Sequence, residues 1–363
     1  AARASRHARA GRFANSRPGP VIAAGPVRIA AAMLRHRKAG RPASPVPLAR
    51  PSATGPAGEL AVTWFGHSSA LIELDGHRVL ADPMWSERAS PSPRVGPRRL
   101  HPVPGPLADL PPVDAVVISH DHYDHLDVAT VRALVALGRA PFLVPAGVGA
   151  HLRRWGVPPS RVVELDWDEA VAVGGLTISC VESRHFSGRR LVRNTTQWSS
   201  WALAGPRHRV LFGGDTGFHD ALAGIGERLG PFDLTLLPIG AYSDLWPDIH
   251  LTPEEAVRAH LALGAGSGLL VPVHWGTFDL GFHGWAEPVD RLRAEAARRG
   301  VALAVPRPGE RVDATAPAAL HDWWSPAAFA AETPAQGPAA AVRRANREPA
   351  STMHRGIHYY RPR

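Results

Sequence analysis

The stretch SHDHYDHLD, residues 119 to 127, sets three histidines and two aspartates among the six positions from His120 to His125. It follows VDAVVIS (113–119), which reads as a short buried strand, and runs into LDVATVRALVALG (126–138), whose apolar spacing and closing glycine predict a helix. A loop that leaves a buried strand with so many imidazole and carboxylate groups must open at a sheet edge where side chains converge. A solvated polar loop seldom follows so apolar a strand, whereas imidazole with carboxylate suits Zn, Fe or Mn. The HxHxDH pattern is therefore read as a metal-binding loop.

One ion takes three or four protein ligands, so four candidates in one loop imply two ions sharing further ligands from elsewhere. Those ligands belong at other strand ends. Strands are expected at LAVTWFG (60–66), SALIEL (69–74), HRVLAD (77–82), PFLVP (141–145), LTISCVE (176–182), SSWALAG (199–205), RVLFGGD (209–215), LTLLPIG (234–240) and GLLVPVH (268–274), with Asp75-Gly76 as a hairpin turn. His185, Asp215 and His274 each follow one of these runs. Helices fit 147–155, 252–263 (opened by Thr252-Pro253-Glu254-Glu255) and 286–299. Strands followed by mixed strands and helices predict an α/β (α+β) fold, with two sheets face to face and helices outside.

The chain has 363 residues, 45% of them hydrophobic, enough for a substantial core, and a formal charge of +9. That charge sits at the ends. Residues 1–58 hold eleven Lys or Arg and no acid, and residues 335–363 hold six Arg against Glu348, so the region between them is net acidic. Nucleic-acid binding, which wants a basic folded face, is not expected. The segments 1–58 and 326–363 read as basic disordered tails flanking a catalytic domain at 59–325, with anionic membrane surface, nucleic acid or a targeting role as alternative functions for the first. The run VIAAGPVRIAAAML (21–34) is broken by Gly25, Pro26 and Arg28 and is too short to span a bilayer, which leads to an expectation of a cytoplasmic protein touching membrane peripherally. The lone Cys180 excludes an internal disulfide and reads as a buried strand residue.

The set HxHxDH, then His, Asp and His at strand ends, resembles the metallo-beta-lactamase superfamily, a four-layer αββα sandwich with a dinuclear site. Within it the chain is most similar to the N-acylphosphatidylethanolamine-hydrolysing phospholipase D group, through WFGHSSALIEL, LADPMWSERASPS with GPRR, ELDWDE, GGDTG, GPFDLTLLPIGAY, PEEAVRAH and PVHWGTF. The resemblance implies one zinc on His120, His122 and His185, a second on Asp124, His125 and His274, and Asp215 bridging, with Fe or Mn as alternatives. It implies Asp82 as the carboxylate orienting a metal histidine, His67 near the site, and His250 on the substrate side. Ile249 departs from the polar residue usual beside that histidine. The implied reaction is attack of a metal-bridging hydroxide on the phosphorus of a phospholipid, releasing phosphatidic acid and N-acylethanolamine. Asp124 and Asp215 serve the metals as catalytic carboxylates, and Asp215, a metal-bound water or His250 gives the leaving alkoxide its proton.

Tyr242, Trp246, Trp275 and Phe278 stand near the same rim in sequence as candidates for an acyl-chain pocket, and Arg94, Arg98 and Arg99 as candidates for a lipid phosphate. Two other readings stay open: a same-fold hydrolase of a soluble lactone or cyclic phosphodiester, and a non-catalytic metal-binding scaffold. A beta-lactamase is disfavoured because Cys180 matches no ligand position. Partners are confined to the phosphodiester substrate, a membrane surface and a second copy in a homodimer.

Overall fold

The computed structural model describes residues 5–19, 24–36, 39–51, 55–189 and 192–325. The chain opens with a two-residue-strand hairpin, β1 (Ala8–Arg9) and β2 (Arg12–Phe13), followed by helix α1 (Pro26–His36). A first sheet then forms from β3 (Leu60–Gly66), β4 (Ser69–Leu74), β5 (His77–Ala81), β6 (Ala115–Val117), β7 (Phe142–Pro145) and β8 (Val162–Leu165). The second sheet comprises β9 (Ala170–Val173), β10 (Leu176–Val181), β11 (Ser200–Ala204), β12 (Arg209–Phe212), β13 (Leu234–Pro238), β14 (Leu269–Val273) and β15 (Ala302–Leu303). The chain finally returns to the first sheet, where β16 (Arg311–Asp313) pairs with β3.

Both sheets share one plan. β3, β4 and β5 form an antiparallel meander and β5 to β8 run parallel; β9 to β12 are antiparallel and β12 to β15 parallel. The sequence shows no repeat to announce this. Alternation along the strands decides which face meets which layer. Val62, Trp64, Ile72, Leu74, Val79 and Val117 join the core shared with Ile178, Trp201 and Phe212 of the second sheet. Leu71, Leu80, Val116 and Ile118 point the other way, onto α2 (Val128–Leu137) and α3 (Gly149–Arg154). Helices α4 (Ala221–Leu229), α5 (Pro253–Ala262) and α6 (Glu287–Arg299) flank the second sheet, so the αββα expectation holds. Cys180 is buried in β10, as read from the sequence.

Local signals behave as the residue chemistry requires. Asp75 and Gly76 have φ of 48° and 83°, the left-handed pair that closes a two-residue hairpin, and Leu74 pairs with His77. Thr252 and Glu255 form a reciprocal capping box with Pro253 in the first turn of α5, a cap worth about 1 kcal/mol. Helix α4 was not foreseen: its two glycines, Gly224 and Gly226, weaken the helical signal, and Leu222 and Ile225 are buried beneath it.

The expectation of a disordered tail over 1–58 fails for the described part of that segment. Phe13 is 2% exposed within the central core, its N–H donates to Asn194 O (2.8 Å), and Ser5 and His7 both bond Asp166 (2.6 and 2.8 Å). A chain too polar to build its own core can still dock on one already built, given one aromatic anchor and acceptors to meet it. The tail expected at 326–363 lies outside the described residues. Among the described residues no helix is long and apolar enough to cross a membrane.

Candidate metal centre

The cluster lies where strands of both sheets end. His120, His122, Asp124 and His125 follow β6, and Asp82 follows β5; His185, Asp215 and His274 follow β10, β12 and β14. His67 sits in the turn between β3 and β4. His67, Asp82 and His274 have φ of 53°, 37° and 59°, a left-handed backbone that non-glycine residues adopt only where surroundings impose it. Gly214, at φ 55°, gives Asp215 its approach, because a Cβ there would collide with the Ser119 side chain.

Two groups of donors result. In one, His120 Nε2 and His185 Nε2 stand 2.7 and 3.2 Å from His122 Nδ1, and 3.8 and 3.6 Å from Asp215 Oδ2. In the other, His125 Nε2 and His274 Nε2 each lie 3.4 Å from Asp124 Oδ2 and 3.2 Å from Asp215 Oδ2. Donors about 2.0–2.2 Å from one tetrahedral ion are roughly 3.3–3.6 Å apart, and these spacings, from 2.7 to 3.8 Å, cluster around that range. Asp215 Oδ2 belongs to both groups.

The outer hydrogen bonds aim the ligands. Because a carboxylate only accepts, His125 Nδ1–H donates to Asp82 Oδ2 (2.7 Å), leaving Nε2 to face the cluster. His185 Nδ1–H donates likewise to Ile249 O (2.9 Å). Ser119 Oγ–H donates to Asp82 Oδ2 (2.5 Å) and accepts from His120 Nδ1 (2.9 Å), so Asp82 steers two imidazoles. Buried and without a hydrogen-bond partner among the described residues are His125 Nε2, His274 Nε2 and Asp215 Oδ1. Orphaned donor atoms converging in this way are what a cation would satisfy.

Electrostatics agrees. Burial pushes Asp215 and Asp124 up, but the surrounding histidines, His125 foremost, outweigh it and hold both well below the carboxylate range. Burial lowers His274, yet the carboxylates of Asp215 and Asp124 close to its Nε2 carry it up to about 9. The carboxylates therefore demand positive charge, which a divalent ion supplies by displacing protons from the imidazoles. The fold and these clusters point to a bound divalent metal.

Of the other predicted residues, His67 is closer to the ligands than expected: its Nε2 is 2.9 Å from Asp124 Oδ2, and burial with His274 lowers it to about 3. His250 Nδ1, buried and unpartnered, faces Asp215 Oδ2 at 3.9 Å, and burial lowers it to about 3. Above the cluster is a cleft of about 190 Å³, with Phe186, Ala241, Trp246, Ile249 and Leu280 beside the polar residues. Trp246 thus reaches the rim. Trp275, Phe278 and Tyr242 do not line this cleft. Trp275 is 2% exposed and stacked on Trp64; Phe278 is wedged between His67 and Arg99; Tyr242 bonds Glu287 (2.8 Å) and stacks on His283. Each aromatic follows a strand end in sequence, but a left-handed residue stands just before Tyr242 (Ala241, φ 60°) and just before Trp275 (His274, φ 59°), and Trp275 lies in the core. Arg94 is exposed and Arg98 pairs with Glu87, both away from the ligands.

The sequence reading also missed Asn15. Its Nδ2–H donates to His185 O (3.0 Å), and its Oδ1 accepts from His185 N–H and Trp198 Nε1–H (3.1 Å each). No spacing could reveal a partner 170 residues away.

The family model for the beta-lactamase superfamily domain matches residues 77–275. An uncharacterized protein of Mycobacterium tuberculosis is 64% identical over 294 residues, which is 80% of this chain and 79% of that one. An N-acyl-phosphatidylethanolamine-hydrolyzing phospholipase D of Caenorhabditis elegans is 40% identical over 247 residues, 64% of this chain and 69% of its own. The isothiocyanate hydrolase from Delia radicum gut bacteria has the same fold, with a TM-score of 0.57 at 23% identity, covering 70% of this chain and 98% of that one.

Proposed function

The chain belongs to the metallo-beta-lactamase superfamily of metal-dependent hydrolases, and from that premise we propose that it is a dinuclear zinc phosphodiesterase of the N-acylphosphatidylethanolamine phospholipase D type. The observation that carries this reading is the 40% identity over 247 residues to the Caenorhabditis elegans enzyme. His120, His122 and His185 would hold one ion and Asp124, His125 and His274 the other, with Asp215 shared. Bound there, such ions acidify water and neutralise charge gathering on phosphoryl oxygens.

The protein's own groups do the rest. Asp215 Oδ1, buried and unbonded, takes the proton of the attacking water as its oxygen bonds to phosphorus. As the bond from phosphorus to the ethanolamine oxygen breaks, that proton passes to the leaving oxygen, giving phosphatidic acid and N-acylethanolamine. His250, kept neutral by burial, orients the phosphodiester through Nδ1. The apolar rim of Phe186, Trp246, Ile249 and Leu280 keeps bulk water from the reacting atoms, and a cleft of about 190 Å³ leaves the acyl chains outside it.

The test is phosphatidic acid release from N-acylphosphatidylethanolamine vesicles, abolished by a chelator and restored by Zn²⁺. Intact phospholipid with metal-loaded protein would remove the lipid assignment. The small cleft also suits a soluble lactone or cyclic phosphodiester, and a lactone panel with bis(p-nitrophenyl) phosphate separates that reading from the first.

A further inference from the structure

Beyond the metal centre, one group of charges has no use in the chemistry above. An open cavity of about 1050 Å³ is walled by Arg41, Arg88, Arg98 and Arg99, with Glu87 and Asp279 as its carboxylates. Glu87 pairs with Arg98. Among the described residues, neither Arg88 nor Arg99 forms an ion pair.

Arg99 is 9% exposed. Its Nε and Nη2 donate to the main-chain oxygens of Ser86 and Met84, which fixes the guanidinium, while Nη1 is buried without an acceptor. Arg88 Nη1 donates to Gly96 O (2.6 Å), and its Nε too is buried without an acceptor. Arg99 is buried with Asp127 acting on it only from beyond ion-pair distance, and half-buried Arg88 lines the same cavity, so two guanidiniums with spare N–H groups and no ion pair among the described residues share one site. Such a site suits an anion with several acceptor oxygens, and guanidinium forks match phosphate in shape and charge.

We propose that this cavity binds a phosphate group, carried by a small ester or a lipid headgroup, with Arg99 as the fixed charge and Arg88 and exposed Arg41 as the reaching contacts. Trp85 and Leu100 on the same wall give an organic remainder an apolar surface. Phe278, under the Arg99 guanidinium and edge-on to His67, separates this site from the metal ligands. The site stands whether or not the phosphodiesterase reading holds.

Metal-loaded protein is titrated calorimetrically with glycerol 3-phosphate, and separately sedimented with phosphatidylcholine vesicles with and without phosphatidic acid. Binding in the first arm, weakened about tenfold or more in Arg88→Gln and in Arg41→Gln at unchanged metal content, assigns a small ester. Binding only to phosphatidic acid vesicles, with the same losses, assigns a headgroup. Arg99→Gln should bind neither; where its melting curve shows unfolding, the Arg88 and Arg41 variants carry the test. No binding by either probe, or equal binding by parent and both variants, overturns the assignment. Phosphate held at the metal centre would follow metal content, so a failure here is distinct from a failure to hydrolyse phospholipid.

Discussion

Asp82 shows how one carboxylate governs a site it never enters. Its Oδ1 accepts from Ser119 N–H (2.7 Å), and its Oδ2 from His125 Nδ1–H and Ser119 Oγ–H, so every direction it faces holds a donor. Asparagine matches it in size and tolerates the backbone φ of 37°, but its amide NH2 must point at one of those donors. Asp82→Asn should therefore keep the fold and lose about 10–100-fold in metal affinity, read by competition with a chromophoric chelator. Unchanged affinity would leave Asp82 as an ordinary turn residue. The residues legible in the sequence were those whose chemistry is local or repeated: the HxHxDH loop and the three strand-end ligands. Asn15, Ile249 O and the inward turn of Trp275 depend on contacts between segments far apart in the chain, which spacing does not encode.

At the scale of elements, turns at the opposite ends of the strands from the metal ligands clip the two sheets together. Asp75, in the β4–β5 turn, accepts from Arg207 N–H (2.8 Å), His208 N–H (3.1 Å) and His208 Nδ1–H (2.7 Å), all in the β11–β12 turn. Burial pushes the Asp75 carboxyl up, but the Arg207 main chain and both His208 donors outweigh it and bring it down to about 2, against an ordinary 3.8. A depressed carboxylate stabilises the fold above its unfolded pKa and loses that contribution as pH falls through its folded value. The clip should thus contribute about 1–2 kcal/mol at neutral pH, fading from about pH 4 to pH 2. Asp75→Asn preserves the turn and removes the charge; its urea midpoint should fall at pH 7 and converge on the parent's near pH 2. Curves separated equally at both pH values would contradict the carboxylate's role. The turn itself was readable from Asp-Gly between alternating runs, but its partner turn across the sandwich was not, because a sequence fixes hairpins locally and sheet-on-sheet contacts only through the fold.

For the molecule as a whole, the candidate metal centre is contacted by a segment outside the span matched by the family model. The arm at 5–19 crosses the edge of the sandwich, anchored in the core by Phe13, and sets Asn15 against the main chain of His185. Two contributions are thereby joined: burial of one aromatic ring, about 2–3 kcal/mol, and the fixing of one ligand loop. They separate experimentally. Deleting residues 1–19 removes both and should lower thermal stability and metal occupancy together. Asn15→Ala keeps the Phe13 anchor, so its melting temperature without metal should stay near the parent's, while the gain in melting temperature on adding Zn²⁺ shrinks. That gain follows ligand affinity through mass action, about 1.4 kcal/mol for each tenfold. A variant stabilised by Zn²⁺ as much as the parent would make Asn15 a strut only, and would confine the arm's contribution to the ring it buries.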